Sequence, residues 1–206
     1  MNEPEVPALF RVFENTVQSW NGTFWWGRLA GDIPDAYREA AHRLFNSRQG
    51  DGADAERILL PILYTYRHAI EALLKQAIMA SAVLRVEGQD ANAPAASAVE
   101  TRLRRDLRHK FAELRDVLNE NLLALEFDPL SDEANTFLGL LADLDPSGNA
   151  FRFAQQLPDV HVSLDLPRLM AAFDAAYGHL TGVREYLVVQ VDEQRDWMNY
   201  LSEDFE

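Results

Sequence analysis

The sequence contains no cysteine, which excludes disulfide bonds, thiolate metal sites and thiol catalysis. It also has no apolar run that approaches the roughly 18 residues of a membrane-spanning helix. The acidic, proline-containing N-terminus, MNEPEVPALF, does not resemble a signal peptide. From these absences we expect a cytoplasmic protein that does not associate with membranes.

Basic residues are scarce: 19 Lys and Arg stand against 33 Asp and Glu, for a net charge of −14. A protein that grips phosphate backbones over much of its surface is usually basic. Any role in nucleic-acid binding must therefore depend on a local patch. The sequence offers one such patch, the basic run Arg102, Arg104, Arg105, Arg108 and Lys110.

Signals for a cofactor or a metal are lacking as well. The chain has no glycine-rich phosphate loop, and three of its histidines, His42, His161 and His179, stand without the paired spacing of a zinc site. We therefore expect no cofactor and no metal, and a structural role for these three histidines.

The composition that remains is globular, with 48% hydrophobic and 25% charged residues over 206 positions. This length suits one domain with an appendage. Residues 1–33 form an aromatic-rich segment, which we expect to pack on the rest of the chain or against a partner. Residues 34–206 are expected to form a helical bundle domain. The aromatic cluster consists of Trp20, Phe24, Trp25 and Trp26.

The apolar periodicity predicts a mainly α-helical fold, a bundle of about five helices. The first helix opens at Ile33-Pro34-Asp35, and the second either kinks at Pro61 or begins near it. Gly178 and Gly182 are expected to bend or split the last helix. The second to fifth helices are predicted near 54–84, 98–125, 131–144 and 167–201.

In one segment before the last helix, the spacing of the apolar residues changes from every three or four residues to every second residue. Phe151-Arg152-Phe153 and the stretch from Val160 to Leu164 alternate apolar and polar residues. The sequence therefore predicts a small β-hairpin inserted there.

A polar stripe follows the second predicted helix beside its buried face. Arg67, Glu71 and Lys75 lie four residues apart, and His68 lies three residues before Glu71, so that their side chains can touch. Two interpretations are open: a solvated ladder of ion pairs, or an imidazole oriented by a carboxylate beside an arginine and Tyr64, which could act in acid–base chemistry.

The run from Pro61 to Lys75, PILYTYRHAIEALLK, resembles the Arg-His-x-x-Glu-x-x-x-Lys helix of bacterial HEPN-like proteins. Two later stretches fit the same layout: LRHKFAEL, which contains His109, and SGNAFRF with VSLDL before the last helix. The resemblance implies a helical bundle, often a homodimer. Its relatives include metal-independent endoribonucleases of stress and phage-defence systems, and non-catalytic members that bind nucleotides or proteins.

In the catalytic relatives four to six residues separate an arginine from the histidine that follows it. Here the corresponding positions after Arg67 hold Ala72, Leu73 and Leu74, whereas Arg104 and His109 have the required separation. As a ribonuclease of this kind, the chain is expected to use four catalytic residues: Arg67, His68, Glu71 and His109.

The basic run has two interpretations. Arg104, Arg105, Arg108 and Lys110 would bind RNA or a nucleotide, or they form a solvated face opposite the apolar side of their helix. The alternative to a ribonuclease or RNA-binding effector is a non-catalytic helical module that binds a protein through the aromatic N-terminal segment.

Overall fold

The structure is a computed structural model that describes residues 26–47, 53–153 and 164–203. The chain divides into two compact units, Met1–Gly31 and Asp32–Glu206. In the first unit only the helical residues from Trp26 to Gly31 are described. The expected packing of the aromatic N-terminal segment therefore lies outside the described residues.

The described residues are mainly α-helical, as predicted, and contain no strand. None of their helices is long and apolar enough to cross a membrane. In chain order the helices are α1 Trp26–Ser47, α2 Ala53–Glu87, α3 Ala96–Arg102, a π-helical turn Leu103–Leu107, α4 Phe111–Ala124, α5 Asp132–Leu144, α6 Ala150–Phe153 and α7 Leu166–Glu203.

The predicted β-hairpin is wrong in its first strand. Phe151-Arg152-Phe153 lies within the short helix α6, and the side chain of Phe151 is buried. Three alternating residues are too few to distinguish a strand from one helical turn. The second strand, apart from Leu164, lies outside the described residues.

The single helix predicted near 98–125 is divided. Helix α3 continues into the π-helical turn, the chain turns at residues 108–110, and α4 then begins at Phe111. In the π-helical turn the amide of Arg108 donates to the carbonyl of Leu103, five residues earlier, at 2.9 Å. Arg108 itself has a φ of 43°, which ends the helix.

The other helices follow the predictions more closely. Helix α1 begins earlier than expected, at Trp26, and contains Pro34 in its interior. Helix α2 runs through Pro61, so it does not begin there. Helix α5 begins as predicted after Ser131, whose hydroxyl accepts a hydrogen bond from the amide of Ala134 at 3.2 Å. Helix α7 passes unbroken through both of its glycines.

Helix α2 forms the centre of the second unit and packs on α7 and α4. Helical periodicity predicts the buried positions of this helix, and only Leu59 among them is half-buried. These positions are Leu59, Leu63, Tyr66, Ile70, Leu73 and Ala77. The fully buried members are Tyr66, Ile70, Leu73 and Ala77.

A polar network joins α1, α2 and α7 beside this core. One carboxylate oxygen of Asp174 accepts hydrogen bonds from Arg38 Nε at 2.8 Å and from the hydroxyl of Tyr66, and lies 3.0 Å from His42 Nε2. Burial raises the pKa of Asp174, but these three partners outweigh it and hold the pKa below 3.8. His42 thus has the structural role expected of it.

Candidate active site

Arg67 and Glu71 lie one turn apart on α2 and are each only 2% exposed. Arg67 Nη1 donates to Glu71 Oε2 at 2.9 Å, and Lys75 Nζ donates to Glu71 Oε1 at 2.6 Å. The interpretation of a solvated ion-pair ladder therefore does not hold for Arg67 and Glu71. Only Lys75, at the end of the series, reaches solvent.

The guanidinium of Arg67 is committed to other parts of the protein. Its Nη2 donates to the carbonyl of His109 at 2.7 Å, and its Nε lies 2.7 Å from Asp145 Oδ2 in an ion pair whose angle is not that of a hydrogen bond. Its flat face lies over the ring of Phe111, 4.6 Å from the centroid. Arg67 therefore fixes the turn at His109 and does not face a ligand.

His109, in the turn before α4, contacts the carboxylate of Glu71. Its Nδ1 lies 2.9 Å from Oε1 and 3.0 Å from Oε2 of Glu71. An ionised carboxylate only accepts hydrogen bonds, so Nδ1 carries the proton, and in the neutral ring Nε2 keeps its lone pair. The imidazole is 44% exposed and lines a cleft.

The charge of Glu71 is maintained despite burial. Loss of solvation raises its pKa, but the hydrogen bonds and charges of Lys75 and His109 outweigh this effect, and the pKa falls below its usual 4.5. Glu71 is therefore ionised at neutral pH and orients the imidazole as a carboxylate.

The turn at residues 145–150 completes the site. It overlaps the SGNAFRF stretch, but no role in the site was predicted for Asp145 or Gly148. Asp145 is fully buried, and its Oδ1 accepts a hydrogen bond from the amide of Ala150 at 2.9 Å. Gly148 has a φ of 77°, and a Cβ added there would lie 2.5 Å from the Cβ of His109. Only glycine allows this close approach. The sequence signal that could have predicted this turn is Asp145-Pro-Ser-Gly148 directly after a predicted helix.

His68 follows Arg67 directly in the sequence, but its side chain does not join the contacts around Glu71. Its ring packs against Tyr37 at 4.3 Å and Tyr64 at 6.2 Å between centroids. Among the described residues it takes no part in the hydrogen bonds around Glu71. Burial lowers the pKa of His68 from 6.5, although the charge of Glu71 acts in the opposite direction. The structure thus brings together Arg67, Glu71 and His109, and leaves His68 beside them.

A cleft of about 880 Å³ opens beside His109. Its lining includes His109, its sequence neighbours Arg108 and Lys110, and Asn149 from the turn that follows α5. Lys110 also pairs with Glu113 at 2.9 Å. Arg104 and Arg105 are exposed on the π-helical turn, opposite the buried Leu103 and Leu107, as expected for a solvated basic face.

Among the described residues no three His, Asp or Glu side chains are grouped so as to hold a metal ion. Comparison with known proteins gives no match to a family model, to a curated protein or to a solved structure.

Proposed function

We propose that the chain is a HEPN-like protein that binds RNA in the cleft beside His109 and cleaves it by metal-independent acid–base catalysis. The observation that carries the proposal is the contact between Glu71 and His109 Nδ1 at the wall of that cleft. A buried carboxylate that fixes the tautomer of a partly exposed imidazole is a common arrangement for a general base.

The charges around the cleft suit a phosphodiester. Arg108 and Lys110 flank His109 on its wall, and Arg104 and Arg105 lie exposed on the preceding turn. On a chain with a net charge of −14, this group concentrates the positive charge needed to receive a polyanion. Lys110 pairs with Glu113, and Arg108 donates to the backbone carbonyl of Arg105. Both contacts are exposed, so a phosphate can replace them.

In the proposed reaction His109 Nε2 takes the proton of a ribose 2′-hydroxyl. The 2′ oxygen attacks the adjacent phosphorus, the bond from phosphorus to the 5′ oxygen breaks, and that oxygen takes a proton from Lys110 or from water. The products are a 2′,3′-cyclic phosphate and a 5′-hydroxyl. Arg108 and Lys110 stabilise the charge on the phosphoryl oxygens, and Arg67 acts only by holding the His109 carbonyl.

The test compares His109→Ala with His68→Phe on labelled single-stranded RNA in the presence of EDTA. We expect the wild-type protein to leave 2′,3′-cyclic phosphate ends. His109→Ala should slow cleavage by about 10²–10⁴-fold, the usual contribution of a general base. His68→Phe should retain the activity, because His68 packs among tyrosine rings away from the cleft. Thermal melts of each variant establish that it is folded.

A folded wild-type protein that neither binds nor cleaves any RNA in a varied panel would overturn the proposal. Equal activity of His109→Ala and wild type would also contradict it. Binding without cleavage, weakened by charge reversal at Arg108, would leave an RNA-binding effector. The homodimer remains an expectation from the resemblance, and the cytoplasmic location remains one from the sequence composition. Sedimentation checks the first.

The second candidate is a non-catalytic helical module. It is favoured by the contacts of all three guanidinium nitrogens of Arg67 within the protein, where Arg67 holds together α2 and two turns. In that case the His109→Ala variant would change stability alone, and binding of a protein partner would not depend on the cleft.

A further inference from the structure

A second groove lies between α7 and the turn that follows α4, away from His109. It has a volume of about 580 Å³ and is lined by Leu122, Phe127, Tyr186, Gly178 and Gly182. The rings of Phe127 and Tyr186 meet edge to face with their centroids 5.2 Å apart. Its wall is therefore largely apolar, with two aromatic rings on one side.

The two glycines keep this groove open. A Cβ added at Gly178 or Gly182 would meet no atom within 4 Å, so neither glycine is required by packing inside the protein. Glycine in the middle of a helix lowers helix stability relative to alanine. The space above Gly178 and Gly182 instead allows another backbone to approach α7 closely.

An exposed apolar stripe continues the groove along α7. Tyr186, Val189, Trp197 and Tyr200 are between 50% and 58% exposed, and the rings of Trp197 and Tyr200 stack at 6.1 Å. At about 100° per residue, these four side chains and the two glycines fall within an arc of roughly 100°. The face from Gly178 to Tyr200 is about 33 Å long at 1.5 Å per residue.

Carboxylates lie at the groove and within the same arc of α7. Glu126 and Asp128 lie at the groove, and Glu193 and Asp196 fall between Val189 and Trp197 along the face, all exposed. The nearby cations are engaged within the protein: Arg184 contacts Gln76 and Glu185, and Arg195 pairs with Glu87. The face therefore combines apolar side chains with negative charge.

We infer that the Gly178–Tyr200 face of α7, with its groove, binds a basic amphipathic helix of a partner protein. The apolar side of such a helix would cover Tyr186 and Trp197, and its lysines or arginines would meet the carboxylates. The length of the face suits a helix of about 20 residues. This inference does not depend on the proposed ribonuclease activity.

The first experiment uses three synthetic peptides of about 20 residues with the full chain. One is an amphipathic Lys/Leu/Ala helix, the second has the same composition in scrambled order, and the third replaces each lysine by glutamate. We expect the patterned lysine peptide to bind at least about tenfold more tightly than either control. Its affinity should fall as salt is added. Equal binding of all three peptides would overturn the inference.

The second experiment places a bulky side chain in the groove. Gly182→Leu meets open space, so we expect the melting temperature to stay the same or rise, while the dissociation constant of the lysine peptide increases by at least about tenfold. Val188→Leu, an exposed position about 120° around α7 from Gly182, is the control and should bind normally. A Gly182→Leu protein that binds as well as the control would contradict the inference.

Sedimentation of the protein without peptide tests whether a second copy of the chain covers this face instead. If the wild-type protein is a dimer and Gly182→Leu is a monomer, the face covers a second copy of the chain and the inference of a basic partner is wrong. A wild-type oligomeric state that Gly182→Leu leaves unchanged agrees with a separate partner.

Discussion

Two Arg–Glu pairs with the same helical spacing have opposite sequence order and differ strongly in burial. Glu39 and Arg43 on α1 are exposed, with 59% and 79% of their side chains accessible. Arg67 and Glu71 on α2 are almost completely buried. In water such a pair contributes little, but in the interior an unpaired charge costs several kcal/mol. The contribution of each pair to the free energy of unfolding therefore depends on its burial.

From this contrast we expect Glu71→Gln to lower the free energy of unfolding by about 3–5 kcal/mol, because the buried Arg67 would lose one of its two anionic partners and Lys75 would lose its carboxylate. The matched variant Glu39→Gln should change it by about 0–1 kcal/mol. Urea denaturation of both proteins at neutral pH measures the difference. Similar losses in the two variants would mean that the Glu71 network is no more important than a surface pair.

The sequence indicated the spacing of Arg67, Glu71 and Lys75 but not their burial. The same spacing occurs at Glu39 and Arg43, which are solvated. What buries Arg67 is Asp145 and the carbonyl of His109, and both come from segments distant in the chain. Sequence periodicity within α2 contains no information on these partners, so it left both interpretations open.

At the scale of elements, the predicted third helix shows how a turn can be hidden by periodicity. Leu103, Leu107, Phe111 and Leu114 are all buried and follow helical spacing. The chain nevertheless leaves the helix at Arg108, where φ is 43°. Arginine is not a typical residue for that conformation, so the sequence had no signal for it. The turn is what places the carbonyl of His109 on Arg67.

The start of α5 was predictable because its signal is local. Ser131 precedes Asp132 and Glu133, and its hydroxyl caps the amide of Ala134. We expect Ser131→Ala to lower the free energy of unfolding by about 1 kcal/mol, the usual effect of losing such a cap. Ser47→Ala is the control, since that exposed hydroxyl donates only to the carbonyl of Leu44. Urea titrations give both values, and equal effects would argue against a capping role for Ser131.

At the scale of the whole molecule, the protein combines a large negative charge with buried groups that resist protonation. Glu71 and Asp174 have pKa values below 4.5 and 3.8 respectively, because cationic and hydrogen-bonding partners outweigh desolvation. His68 has a pKa below 6.5 because burial disfavours its charged form. In each case the unfolded chain binds protons more readily than the folded one, so these groups lower stability as the pH falls.

His68 and the two carboxylates act in different pH ranges. Stability from keeping His68 neutral is present above its unfolded pKa of 6.5 and is lost as the pH falls toward its lower folded pKa. Stability from Glu71 is lost only below its unfolded pKa of 4.5, as the pH falls through its folded value. Relief of repulsion among the excess carboxylates on acidification acts in the opposite direction. A single stability curve therefore cannot assign the loss to His68.

A comparison with His68→Phe isolates the contribution of His68. Phenylalanine keeps the ring contacts with Tyr37 and Tyr64 and cannot be protonated, and the other four histidines are common to both proteins. We expect the wild-type protein to lose stability relative to the variant as the pH falls from about 7 to about 5, and the difference to level off below the folded pKa of His68. Urea unfolding at several pH values gives this difference directly, because the carboxylate terms and the overall charge repulsion cancel between the two proteins. A difference that does not change with pH in this interval would show that His68 is as easily protonated in the folded protein as in the unfolded chain.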